Sequence, residues 1–164
     1  MQITLTGTQS GPAVYNGQAG AGTLIRYGDD ANNCSTVMIQ VDSSRGTNMR
    51  LSQISVVPTK LNAILFTHMH GDHVGWNTRL ENGRWVPTFP NARYVFAERE
   101  YALREAAYRA DGRAGYGSFG DSVLPVVERG QAELVASDDE IEGLLQLEAA
   151  PGHTPGNVVI HLRS

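Results

Sequence analysis

Cysteine is almost absent from this chain: Cys34 stands alone in 164 residues. One cysteine excludes an internal disulfide framework, and a reducing cytoplasm is the simplest home for such a sequence. Its setting, "NNCSTVMIQV" at the start of a strand-like run, reads as a small buried hydrophobe rather than a reactive thiol. Long apolar runs are missing too. No segment approaches the roughly 20 residues that span a bilayer, so no membrane association is expected. The start, "MQITLTGTQS", has neither a basic nor an apolar leader region, so no secretory signal is read. Positive charge is not in excess: 13 Lys and Arg face 17 Asp and Glu, a net charge of -4. That balance gives no electrostatic case for a nucleic-acid partner, although a local basic patch on an acidic protein stays open. Repeats, low-complexity tracts and internal linkers are also lacking, so residues 1–164 are read as a single domain.

What is present is a mixture of short strands and helices. Ile3–Thr6, Thr23–Tyr27 and Thr36–Val41 are β-type runs separated by Gly, Asn and Asp turns. A helix is expected near Thr47, then a buried strand at Ala63–Phe66. Asn82-Gly83 carries hairpin chemistry, Tyr94–Ala97 is an apolar strand, and Glu98–Ala110 is the clearest helix. The Gly-rich stretch "DGRAGYGSFGD" has a length that carries function or disorder. A short helix over Asp121–Val127 tolerates Pro125 only in its first turn. Leu144–Ala149 and Val158–Leu162 are strands flanking "APGHTPGN". The pattern is that of an α/β layered domain.

The chemistry concentrates in "ILFTHMHGDHVGWN". His68 and His70 are two apart, which on extended backbone turns both imidazoles the same way. Gly71 permits a sharp turn, and Asp72-His73 follow where a helix can begin. The result is a nitrogen and oxygen donor set that suits zinc, and also iron or manganese. "PGHTPGN" fixes His153 in a Gly/Pro turn between strands; beside the first motif it reads as a further ligand. His161 alternates along a strand and is read as a face-filling or exposed histidine. Trp76, Trp85 and Phe89 are either core or pocket lining, with core the better reading.

"THMHGDHVG" resembles the H-x-H-x-D-H signature of metallo-β-lactamase-fold hydrolases, and "GHTPG" resembles their third-histidine loop. The resemblance implies an αββα sandwich in which His68, His70 and His153 bind one metal while Asp72 and His73 begin a second site. It implies one or two zinc ions and a metal-bound hydroxide as nucleophile. Asp42, after "VMIQV", matches a family aspartate that supports the ligands from behind; a turn-forming aspartate at a strand end is an equal reading.

The resemblance changes along the chain. Up to about residue 73, "GTQSGP" and "VDSSRGTNMRLSQI" resemble the ribonuclease Z branch. From about 73 onward, "DHVGWNTRLENGRWVPTFPNARYVFAEREY" resembles the lactonase and organophosphate-hydrolase branch. The expectation is a chimera with its seam near residue 73, inside the shared metal motif. No Asp or Glu follows His153, whereas the family carries a bridging aspartate and a last histidine further on. A partial sandwich is therefore expected, with an apolar face covered by a homodimer that exchanges elements or simply packs together. The expected activity is hydrolysis of a phosphodiester-type phosphoester or of a lactone or ester. The alternative is a folded metal-binding protein with little or no catalysis.

Overall fold

Apolar side chains alternate along residues 3–6 and run continuously along Ala63–Leu65 and residues 94–97, and that difference sets the sheet. The computed structural model describes residues 1–9, 19–29, 31, 34–111 and 117–163. Strands β1 (Gln2–Gly7), β2 (Gly22–Tyr27) and β3 (Val37–Val41) form an antiparallel meander. Strands β4 (Ala63–Leu65), β7 (Arg93–Ala97) and β8 (Ala132–Val135) then add in parallel, giving the order β1-β2-β3-β4-β7-β8. All three residues of β4 are buried, as expected for a parallel strand covered on both faces.

The parallel connections carry the helices. Helix α1 (Thr47–Gln53) and a 3₁₀ turn at Pro58–Lys60 link β3 to β4. Helix α2 (Gly71–Val74) and the β5 (Thr78–Glu81) to β6 (Arg84–Pro87) hairpin link β4 to β7. Asn82 and Gly83 both have positive φ (50° and 78°), the conformation an Asn-Gly hairpin turn requires. Helix α3 (Glu98–Asp111), a π-helical turn (Phe119–Val123) and α4 (Leu124–Glu128) precede β8. Pro125 sits in the first turn of α4, where its missing N–H costs nothing. Residues 112–116 of the Gly-rich stretch, and residues 10–12 of "GTQSGP", lie outside the described residues.

Two apolar clusters flank the large sheet. On one face Leu24, Ile64, Tyr94 and Phe96 meet Leu51 of α1, Tyr101 of α3 and Val126 of α4. Phe66 stacks between Tyr94 and Phe96, with ring centroids 6.4 Å and 4.7 Å away. On the other face Ile39, Leu65, Val95 and Ala97 meet a small sheet of β9 (Glu140–Ile141), β10 (Leu145–Ala149) and β11 (Val158–Leu162). The layers are thus helix, sheet, sheet, which is the sandwich order without helices on the outer side among the described residues.

The small sheet does not cover the whole inner face. Ile3 and Leu5 pair with Ile25 and Thr23, so they point to that face, yet they are 53% and 69% exposed. Leu162, opposite buried Leu145 at the open edge of β11, is 41% exposed.

Three local features differ from the sequence reading. β8 and β9 were not expected, because "AELV" and "EI" are short and each carries a glutamate. Trp85, expected in the core, is largely exposed, because the β5–β6 hairpin stands apart from the main sheet as its own two-stranded ribbon. Phe89 is fully buried, and Trp76 packs against the core from a partly buried position.

Candidate metal centre

The buried strand β4 delivers the chain to the site. The Phe66 amide still donates to Val95 O (3.2 Å), after which Thr67–His70 leave the sheet at its C-terminal edge. His70 is extended (φ -74°, ψ 155°) and leads directly into α2. The turn after β10 brings His153 back to the same place. His68, His70 and His153 offer ring nitrogens that all lie within 4.8 Å of one another. His70 Nδ1 is 3.0 Å from His153 Nε2, and the His68 ring is 4.8 Å from each of the other two, centroid to centroid.

The His68 side chain is buried, and its Nε2 has no hydrogen-bond partner among the described residues. Its other nitrogen, Nδ1, lies 3.1 Å from Thr67 Oγ1. That hydroxyl also lies 3.1 Å from Asp42 Oδ2, to which it donates. With its proton committed to Asp42, Thr67 Oγ1 accepts from His68 Nδ1–H. This selects the tautomer whose Nε2 lone pair faces the other two imidazoles. A buried lone pair without a donor, in a cluster of three imidazoles, fits a divalent cation with a fourth position left open.

Electrostatics agree with that use. Burial, and then the neighbouring His73, His70 and His153 rings, push the His68 pKa down to about 3. His70 is also lowered, first by burial and then by Arg104 and His153. Both rings are therefore neutral near pH 7, the form that donates to metals. His73 goes the other way. Burial works to lower it, but Asp42 beside the ring and then Asp72 outweigh burial and raise it.

Asp42 is held in the left-handed region (φ 55°), a conformation most side chains avoid. From there its Oδ1 accepts the Thr67 amide (3.1 Å) and its Oδ2 lies 2.9 Å from His73 Nδ1. The His73 ring sits 4.0 Å from that of His68, and its Nε2 is 3.9 Å from Asp72 Oδ2. Asp72 and His73 thus stand as a pair next to the three-histidine group rather than within it. His161 is on the exposed edge of β11, 2.6 Å from Glu148, and does not join the cluster.

One residue near the site carried no signal in the sequence. Glu100, in the first turn of α3, has a buried side chain that accepts from Arg104 Nε (3.0 Å), the Met69 amide (3.3 Å) and the Gly156 amide (3.1 Å). An acid at a helix start is ordinary, and "AEREY" gives no hint that this one points inward.

A sheet end bearing two histidines from one loop and a third from another defines a metal-binding α/β protein. The chain belongs to the metallo-beta-lactamase superfamily, whose model matches residues 39–164. A ribonuclease Z of Mycobacterium sp. (strain KMS) is 36% identical over 89 residues, covering 54% of this chain and 28% of that protein. A ribonuclease Z of Mycobacterium avium (strain 104) matches over the same length at the same identity. Among solved structures, the hydrolase AbOPH of the beta lactamase superfamily aligns with TM-score 0.71 at 21% identity. It is covered over 52% of its chain by 88% of this one. AidC, a dizinc quorum-quenching lactonase, aligns with TM-score 0.66 at 17% identity and the same coverage. The chain thus spans about half the length of these structures, and its sequence match spans under a third of the ribonucleases. No helix among the described residues is long and apolar enough to cross a membrane.

Proposed function

We propose that the protein is a metal-dependent hydrolase of phosphoesters of the phosphodiester type, or of lactones and esters. The observation that carries this reading is the convergence of His68, His70 and His153, with the buried Nε2 of His68 lacking any other partner among the described residues. In this reading the three imidazoles hold a divalent cation, zinc in the first instance, with iron or manganese as substitutes. The cation, when bound, supplies Lewis acidity toward the substrate oxygen and acidifies a water. The chain's own residues do the rest. Asp42, through Thr67, holds His68 in the ligating tautomer; Asp42 also holds His73 beside it. Asp72, partly exposed next to His73, takes up the proton of the attacking water at a carboxylate oxygen.

The relatives support hydrolysis as the class, since they are ribonucleases, a lactonase and a hydrolase by name. The decisive test is turnover of a chromogenic phosphodiester and of a lactone before and after chelation. Activity that disappears with the metal and returns with zinc supports the reading; activity indifferent to chelation overturns it.

The same reading includes a homodimer. Ile3 and Leu5 on β1 and Leu162 on β11 expose apolar surface on the inner side of the sandwich, and a second copy offers the same apolar surface in return.

A further inference from the structure

The three histidines come from two loops 83 residues apart in sequence, as the His70–His153 contact measures. His68 and His70 lie beyond the end of β4 and His153 lies between β10 and β11; the Val158 amide at the start of β11 donates to Thr67 O (3.0 Å), but none of the three histidines is itself in a strand. Their separation needs a fixed reference. Glu100 hydrogen-bonds to both loops through one side chain. Its Oε1 accepts the amide of Met69, the residue between His68 and His70. Its Oε2 accepts the amide of Gly156, three residues after His153. We propose that Glu100 is a positioning residue for the metal centre, whose buried carboxylate ties the His68–His70 loop to the His153 loop and sets the distance between their imidazoles.

Three independent features serve this role. Gly156 lies against the first turn of α3 so closely that a Cβ there would stand 2.4 Å from the Glu100 nitrogen, so only glycine lets the loop reach the carboxylate. Arg104, one helical turn on, donates its Nε to Oε1 at 3.0 Å and neutralises a charge that burial would otherwise penalise. Thr154, the neighbour of His153, buries its side chain beside the same carboxylate. The ties also require a carboxylate specifically. Both oxygens face N–H donors, so a side chain with one donor and one acceptor satisfies only one loop.

The proposal rests on the metal-site reading above, and its test reads metal binding rather than turnover. Glu100→Gln keeps the volume but turns an amide NH2 toward one backbone donor. Glu100→Asp keeps the charge and the means to pair with Arg104, but is one methylene too short to span both loops. Zinc affinity is measured by competition with a chromophoric chelator, the visible spectrum of the cobalt-loaded protein reports ligand geometry, and thermal unfolding is followed without metal. Both variants are expected to bind zinc roughly 10–100-fold more weakly, the range typical for groups that orient ligands, and to show a changed cobalt spectrum. If Glu100→Gln does not fold, Glu100→Asp decides. Variants that lose thermal stability but keep the parent's zinc affinity and cobalt spectrum overturn the proposal, because Glu100 then only stabilises the fold. Should Glu100→Asp alone match the parent, a clamp is overturned in favour of simple charge. A parent chain that binds no zinc overturns the hydrolase reading and this one together, which is a different result from a parent that binds and variants that bind equally.

Discussion

Asp42 Oδ2 lies 2.9 Å from Nδ1 of His73, and the backbone that brings it there is in the left-handed region (φ 55°). A non-glycine residue in that region costs on the order of 1 kcal/mol or more, so its surroundings must hold it there. What holds it is the Thr67 amide and hydroxyl on Oδ1 and Oδ2, together with the Asp42 amide donating to Leu65 O. The strained turn and the histidine pair are therefore one device.

Asp42→Asn separates the two parts of that device. Asparagine tolerates the left-handed conformation, so the fold should survive with a loss of about 1 kcal/mol or less. The charge beside His73 and the acceptor that fixes Thr67 both change. Zinc affinity should drop roughly 10–100-fold, and the His73 pKa should fall, because Asp42 is the main group raising it. Isothermal titration with zinc and NMR titration of the His73 ring measure the two effects. An unchanged zinc affinity would mean that Asp42 is only a turn residue.

His68→Ala tests whether the cluster is catalytic. Its Nε2 is buried without a partner among the described residues, and the Thr67 hydroxyl that its Nδ1–H meets still donates to Asp42, so truncation leaves no orphaned donor and the metal-free fold should persist. Turnover should fall by at least about 100-fold with circular dichroism unchanged, given that a ligand is lost outright. Zinc-dependent folding with no turnover in either protein would instead describe a structural metal site.

Much of this was legible in the sequence, for a physical reason. His68 and His70 announce themselves because a two-residue step on extended backbone, a glycine and an acidic helix start leave few other uses for that order of residues. The strand Ala63–Phe66 and helix Glu98–Ala110 were legible because continuous apolar runs and Ala/Leu/Glu-rich stretches carry local signals, and both appear within a residue of their expected bounds. Glu100 was not legible. Its importance comes from Gly156, 56 residues away, approaching the start of α3, and no local pattern encodes such an approach. Trp85 misled for a related reason: aromatic residues are usually buried, but Trp85 lies on a two-stranded ribbon outside the main sheet and is 41% exposed.

Leu5→Lys probes the uncovered inner face. Leu5 is 69% exposed, so the charge adds no burial cost to the isolated chain, and stability should change by less than about 0.5 kcal/mol. Association should change strongly if this face meets a second copy. The parent is expected to elute at twice the 17.8 kDa chain mass and the variant at the single mass. A parent that runs as a monomer at all concentrations removes the dimer.

The stability of the metal-free protein should depend on pH through the histidines, and the sign follows from their shifts. His68 has a folded pKa of about 3 against 6.5 for the free side chain. Between these values the unfolded chain takes up a proton that the folded chain refuses, so stability falls as pH drops below 6.5. His70, also lowered, adds to the same slope. His73 is raised, so its contribution is complete below 6.5 and is lost only as pH rises through its folded pKa. Glu100, whose pKa is lowered, acts in the same direction as His68 but only below the carboxylate range near 4.5. The window from about pH 5 to 6.5 therefore belongs chiefly to His68, with a slope of up to about 1.4 kcal/mol per pH unit for the proton it refuses, and the more exposed His70 adds in the same direction. Urea unfolding of the chelated protein across that window should show the slope, and His68→Gln should flatten it. A metal-free protein whose stability is level from pH 5 to 6.5 would mean that the histidines are solvated, and that the buried, partnerless Nε2 of His68 is not a feature of the protein in solution.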